Sequence, residues 1–359
     1  MRLNSIQFLA SSSFMLSYVF LPIFAESLGA SYLEVGIIVA SYGAASLLSS
    51  FIFGKVADIH RLRSIVLAGM LFAAIAFYLQ TLAYDALSLA LIRALAGFSV
   101  GIYPAALTTY VHYQGRSIGK FISFGSLGWM TGFLLAGIVG DVKYLFILSS
   151  LSFLIGFIAA LGLKDIEKPS LNVSYFSLET FRKNIATYAS IFIRHTGAVS
   201  VWTIMPLYLV SLGASSFWIG MIYAINPFIQ FIIMQRLDGF KNEWLVKWGF
   251  ILSALAFLFY YLAPNFLYIV PGMVLVAFGW SFMLVGATRL LIERNLEKAT
   301  ATGMLYSTIS AGSILGAGFG GLLLHFYGFR EAMLFAILCM LVGAFIFKTV
   351  DSHNLESVG

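Results

Sequence analysis

The chain has 359 residues, of which 60% are apolar and only 10% charged, and it carries a net charge of +6. Soluble domains carry about 25% charged residues, so this composition excludes an ordinary water-soluble fold and places the chain in lipid. One cysteine, Cys339, excludes an internal disulfide framework and a cysteine-based metal centre, and the five histidines share no metal-ligand spacing.

Apolar segments fall near residues 5–25, 33–53, 64–83, 87–111, 118–139, 144–163, 185–210, 216–235, 244–263, 266–288, 300–324 and 331–348. Each approaches the roughly 20 apolar residues that cross a bilayer as a helix. The first, after Arg2, is too long for the apolar region of a secretory signal and reads as the first of the series. Twelve spans predict an all-α integral membrane fold with both chain ends on one side.

Basic residues assign that side. Arg2, Lys55, Arg61, Arg63, Arg116, Lys120, Lys164, Lys168, Arg182, Lys183, Arg236, Lys241, Lys247, Arg289, Arg294, Lys298 and Lys348 fall in one set of loops and tails. Only Lys143 and Arg330 fall in the other. Loops rich in Lys and Arg face the cytoplasm, so both termini are expected there, in a multi-pass protein of the cell membrane. Topology accounts for the positive charge, and no nucleic-acid partner is expected.

The turn after the second segment, Gly54-Lys-Val-Ala-Asp58-Ile-His-Arg61-Leu-Arg63, crowds bases around one carboxylate. Gly54 permits close helix approach, and Asp58 suits the positive N-terminus of a neighbouring helix. A solvated turn that merely obeys the charge rule is the competing reading.

In the fourth segment Arg93 lies within the apolar run, a costly place that marks a functional candidate. Snorkelling to the surface is the alternative. Gly97 and Gly101 thin the same helix face, and Tyr103-Pro104 follows. The polar stretch Lys164–Asn184 then divides the chain into an N-terminal six-helix bundle (1–163), a linker (164–184) and a C-terminal six-helix bundle (185–359). Phe176–Lys183 reads as a short amphipathic helix.

The seventh segment carries Arg194-His195 near mid-depth, and no span holds an acid at that depth. An unpaired buried Arg calls for carbonyls, water or an anionic ligand. His195, whose ordinary pKa lies near working pH, is a proton carrier or a packed histidine. Trp202 aligns with His195. In the eighth segment Tyr223, Asn226 and Gln230 form one polar face at steps of three and four. That face lines a cavity or bonds a neighbouring helix, and Trp280 and Tyr306 are further candidates for a wall.

The halves also repeat. A shift of 184 residues lays Ser27-Leu-Gly-Ala-Ser31 on Ser211-Leu-Gly-Ala-Ser215, Pro22 on Pro206, Gly36 on Gly220, and Gly119, Ser126, Gly132 and Gly137 on Gly303, Ser310, Gly316 and Gly321. Six spans per repeat relate the halves by an axis along the membrane normal, with a site expected between them near the midplane.

These features together resemble the major facilitator superfamily over essentially the whole length. The family's loop between spans 2 and 3 reads Gly, three residues, Asp, a basic residue, any residue, Gly, then basic residues. Gly54 and Asp58 match it and Arg63 takes a later basic position, whereas Ile59 and Arg61 replace the first basic residue and the second glycine. Arg93-Ala-Leu-Ala-Gly97 resembles a second motif of the family. Exporters of the family often carry Gly-Pro in span 5, but here Trp129 follows Gly128.

The resemblance implies two pseudo-symmetric six-helix bundles and a secondary active transporter working by alternating access. It implies that Asp58, with Gly54, Arg61 and Arg63, forms a gate against the start of span 11 at Thr300-Ala-Thr302-Gly303. It assigns Arg93 to proton coupling or helix packing. The favoured expectation is proton-coupled export of amphipathic small molecules, with Arg93, Tyr103, Arg194, His195, Trp202, Tyr223, Asn226, Gln230 and Trp280 as substrate or ion contacts. The alternatives are an organic-anion carrier using Arg93 and Arg194, or a non-transporting receptor or scaffold. A monomer without cofactor beyond a coupling proton is expected. No enzyme signature is present: Gly125–Gly132 lies inside a span and no Lys-Ser/Thr follows it.

Overall fold

Without water to satisfy N–H and C=O groups, an apolar chain in lipid must close its hydrogen bonds within each segment, and every apolar segment here becomes helical. The computed structural model describes residues 2–18, 20–169 and 178–356, and among them there is no strand. The helices are α1 (Arg2–Tyr18), α2 (Leu21–Ser27), α3 (Tyr32–Ile59), α4 (Leu62–Leu79), α5 (Ala86–Ile102), α6 (Pro104–Tyr113), α7 (Ile118–Val139) and α8 (Val142–Leu161). After the linker come α9 (Glu179–Lys183), α10 (Ile185–Ser211), α11 (Ser216–Met234), α12 (Asn242–Leu262), α13 (Ile269–Arg294), α14 (Lys298–Phe326) and α15 (Phe329–Glu356).

Among the described residues, 9 helical stretches are long and apolar enough to cross a membrane. The first segment leaves the helix at Phe20, and Pro22 lies in the first turn of its second piece. The fourth segment breaks at Tyr103, where Pro104 removes a backbone donor and starts α6. The linker helix α9 covers Glu179–Lys183, and the start of the expected amphipathic helix, Phe176 and Ser177, lies outside the described residues.

The chain divides into two units, Met1–Thr180 with Leu291–Ser310, and Phe181–Leu290 with Ala311–Gly359. The first part of α14 therefore belongs with the N-terminal helices. Within the first unit α3 packs on α5, α1 on α7 and α8, and α4 on α8. Within the second, α10 and α12 pack on α15.

The 184-residue repeat is present in the backbone itself. Gly29 and Gly213 take φ of +83° and +87°, a left-handed conformation that glycine adopts without penalty. Gly29 N–H donates to Glu26 and Ala30 N–H to Ala25, and Gly213 and Ala214 donate to Val210 and Leu209. Helix contacts repeat as well. A Cβ on Gly128 would meet the carbonyl oxygen of Phe8 at 2.5 Å, and one on Gly312 would meet that of Phe192 at 3.2 Å. Phe8 and Phe192 are also 184 residues apart, so each repeat lays a glycine of its fifth helix against the same point of its first.

Candidate functional site

Three buried polar places stand out in this apolar chain. The first is a seam in the first unit, where the end of α3 meets the start of α14. Gly54 and Gly303 carry no side chains, so the helices touch backbone to backbone: a Cβ on Gly54 would lie 2.9 Å from the Ala299 carbonyl oxygen, and one on Gly303 would lie 2.5 Å from that of Ser50. One turn beyond Gly54, Asp58 points at the first amides of α14. Ala299 N–H donates to Oδ1 at 3.0 Å and Thr300 N–H to Oδ2 at 2.6 Å. These amides have no partner within the helix, and the partial positive charge there favours a carboxylate.

Other charges close the seam. Lys55 Nζ, almost fully buried, meets Glu297 Oε2 at 2.5 Å. Lys168 of the linker donates to the Ala57 and Asp58 carbonyls. Burial holds the Lys168 amine below its ordinary pKa, a shift opposed by the Asp58 carboxylate. Arg61 pairs with Asp165 at 3.4 Å in an exposed position, and Arg63 donates to the Leu161 carbonyl. Of the loop's bases only Lys55 is buried in the seam.

The second place surrounds Arg93 in the same unit. Its guanidinium is fully buried, donates to Gln80 Oε1 at 3.1 Å and lies 4.4 Å from the centre of the Tyr42 ring. It does not snorkel. Gly97, one turn on, sits on the Tyr42 backbone, so α3 and α5 approach closely enough to enclose the charge.

The third lies in the second unit. Arg194 Nη2 donates to Ser253 Oγ at 2.9 Å, and its Cζ is 5.1 Å from the Trp280 ring centre. The His195 ring stands 5.2 Å from the same indole, and its Nε2 is 3.0 Å from Ser313 Oγ. Glycines create this corner. Gly249 and Gly279 let α12 and α13 touch, which brings Ser253 and Trp280 together. Gly312 gives α14 its close approach to Phe192 and His195, so that Ser313 reaches the ring. Arg194 Nε and His195 Nδ1 are buried and have no hydrogen-bond partner among the described residues.

A family model of the Major Facilitator Superfamily matches residues 3–295, most of the chain. The chain belongs to the major facilitator superfamily. Members are membrane transporters and not enzymes, so this is a multi-pass transporter that acts on small molecules. An uncharacterised MFS-type transporter of Methanocaldococcus jannaschii is 24% identical, with 92% of each chain covered. The multidrug resistance protein MdtG of Salmonella typhi is 25% identical over 97% of this chain and 92% of its own. Among solved structures, the human organic anion transporter MFSD10 superposes with a TM-score of 0.77 at 15% identity, over 96% of this chain and 98% of that one. The nucleoside transporter NupG gives 0.67 at 15% identity, over 97% and 99%.

In this superfamily member the residues singled out in the sequence fall into separate groups. Arg194, His195 and Trp280 come together. Trp202 and Tyr223 pair by ring contact, with centroids 5.7 Å apart. Gln230 donates to Asn226 within α11, so these two satisfy each other in part. Tyr103 is buried in the first unit against Phe153 and Gly69, and Arg93 keeps its own company there. Tyr306 meets Thr108 at 3.2 Å, also in the first unit. Sequence reading passed over Gln80, Tyr42, Ser253 and Glu297. A lone amide or acid at a span end, a tyrosine in a rich aromatic background and one serine among many give no local signal.

Proposed function

We propose that the chain is a secondary active transporter of the cell membrane, with both termini cytoplasmic, that exports amphipathic small molecules in exchange for protons by alternating access. The observation that carries the gating part is the pair of hydrogen bonds from Ala299 and Thr300 to the Asp58 carboxylate. This contact joins residues 241 and 242 apart in sequence and depends on helix ends that a moving bundle can separate. In this reading the seam is made when the cytoplasmic face closes and broken when it opens, and Arg61 and Arg63 hold the loop in place. The name of MdtG, a multidrug resistance protein, supports amphipathic cargo.

Arg194 favours a second reading, carriage of an organic anion, because it is a buried cation that forms no ion pair among the described residues. The structural likeness to an organic anion transporter is compatible with this but shows only the fold.

Flux in proteoliposomes under an imposed pH gradient separates the two. Gradient-driven movement of lipophilic cations, lost in Asp58→Asn, supports proton-coupled export. Exchange of anionic probes without a pH requirement, lost in Arg194→Gln, supports the anion carrier. Unchanged flux in Asp58→Asn would sink the gating role.

A further inference from the structure

The surroundings of Arg93 share one property that helix packing does not require. Arg93 lies seven residues into α5, about 10 Å from its start at 1.5 Å per residue, and has 0% exposure. Its Nη1 is answered by Gln80 Oε1, but its Nε and Nη2 find no acceptor among the described residues. Gln80 Nε2 and the Tyr42 hydroxyl, on residues that are themselves buried, also have no partner. Three of these four groups can only donate, and the fourth is free to. Gln80 Oε1 is already engaged by Arg93 Nη1.

A buried donor without a partner costs about 1–3 kcal/mol, and an uncompensated charge in lipid costs more. Two such donors on the cation and two on its neighbours suit a species that is negative and accepts from several directions. Water answers the donors but not the charge. Gly97 lies directly on the Tyr42 backbone, so α3 and α5 pack closely one turn from the guanidinium, which suits a compact anion better than a bulky carboxylate. A small spherical anion meets all three constraints.

We propose that Arg93, Gln80 and Tyr42 form a binding site for a resident monovalent halide of chloride size. The ion accepts from Arg93 Nε and Nη2, Gln80 Nε2 and the Tyr42 hydroxyl, and it neutralises the guanidinium inside the first unit. The site is independent of what the transporter carries, and it makes folding of this unit dependent on chloride.

The test is thermal unfolding of the full-length purified protein, titrated with sodium chloride against sodium gluconate at constant ionic strength. The native chain is expected to show a saturable rise in Tm with chloride and none with gluconate. Tyr42→Phe, which removes only the hydroxyl, should weaken half-saturation about tenfold, the equivalent of about 1.4 kcal/mol. Arg93→Gln should abolish the response. Equal responses in chloride and gluconate, or an undiminished chloride response in Arg93→Gln, overturn the proposal. Should Arg93→Gln fail to fold, Tyr42→Phe and crystals grown in bromide decide: an anomalous bromide peak beside Arg93 supports the site, and its absence overturns it in favour of bound water. None of these readouts uses transport, so they stand or fall separately from the substrate question.

Discussion

The seam between α3 and α14 and the corner around Arg194 are both buried polar places, yet they are built on opposite principles. In the seam each charge is answered. Both Asp58 oxygens accept amide protons, Lys55 meets Glu297, and Lys168 sits on two carbonyls. Around Arg194 a cation meets one serine and the face of an indole, while its Nε and His195 Nδ1 remain unanswered. A polar cluster whose charges are all answered holds one geometry in a low-dielectric interior. A partly satisfied one carries a standing cost that a ligand can relieve. The difference therefore separates residues that fix a conformation from residues available to bind.

Substitutions can break that comparison, and on the scale of unfolding stability they rank from the buried ion pair downwards. Glu297→Ala leaves Lys55 buried and uncompensated, and such a loss costs about 3–5 kcal/mol. The paired replacement of Lys55→Met with Glu297→Leu should recover most of it, as read by unfolding of the purified protein. A double variant as unstable as the single one would mean that the pair does more than neutralise itself. Gly303→Ala comes next. Its new methyl would press on the Ser50 carbonyl oxygen at 2.5 Å, and overpacking of this kind costs about 1–3 kcal/mol. Asp58→Asn keeps the shape but loses the charge and one of the two acceptors, for about 0.5–2 kcal/mol, the usual worth of a helix cap. Transport should fall far more than stability does, because the seam must re-form in every cycle. A proportionate fall in both would assign Asp58 to structure alone.

Much of this organisation is legible from the residues, and the limits are physical. The repeat shows because Ser-Leu-Gly-Ala-Ser encodes a turn that needs glycine at positive φ, so both copies keep the same letters. The break at Pro104 follows from its missing N–H. Asp58 is conspicuous as an acid among bases, and Gly54 one turn earlier marks a close approach. Its actual partners are backbone amides, which no side-chain pattern announces. Glu297 could not be matched to Lys55 across 242 residues, because an ion pair between distant helices leaves no local periodicity. The unanswered donors around Arg93 are equally silent: Gln80 ends a span, where a polar residue is ordinary, and Tyr42 is one of 18 tyrosines.

The smallest stability effect is expected at Arg194, and it is the most informative. Replacing a residue that is 2% exposed ordinarily costs several kcal/mol. Here, however, Arg194→Gln removes a charge that no carboxylate balances and keeps a donor for Ser253. The lost indole contact is worth about 0.5–2 kcal/mol, and relief of the buried charge offsets it, so the net change should stay within about 1 kcal/mol. Movement of anionic probes, if Arg194 holds them, should drop by at least tenfold, whereas Arg194→Lys should restore part of it by returning the charge. A large loss of stability with transport reduced only in step would place Arg194 in the same class as Lys55, a structural charge, and erase the distinction between the two regions.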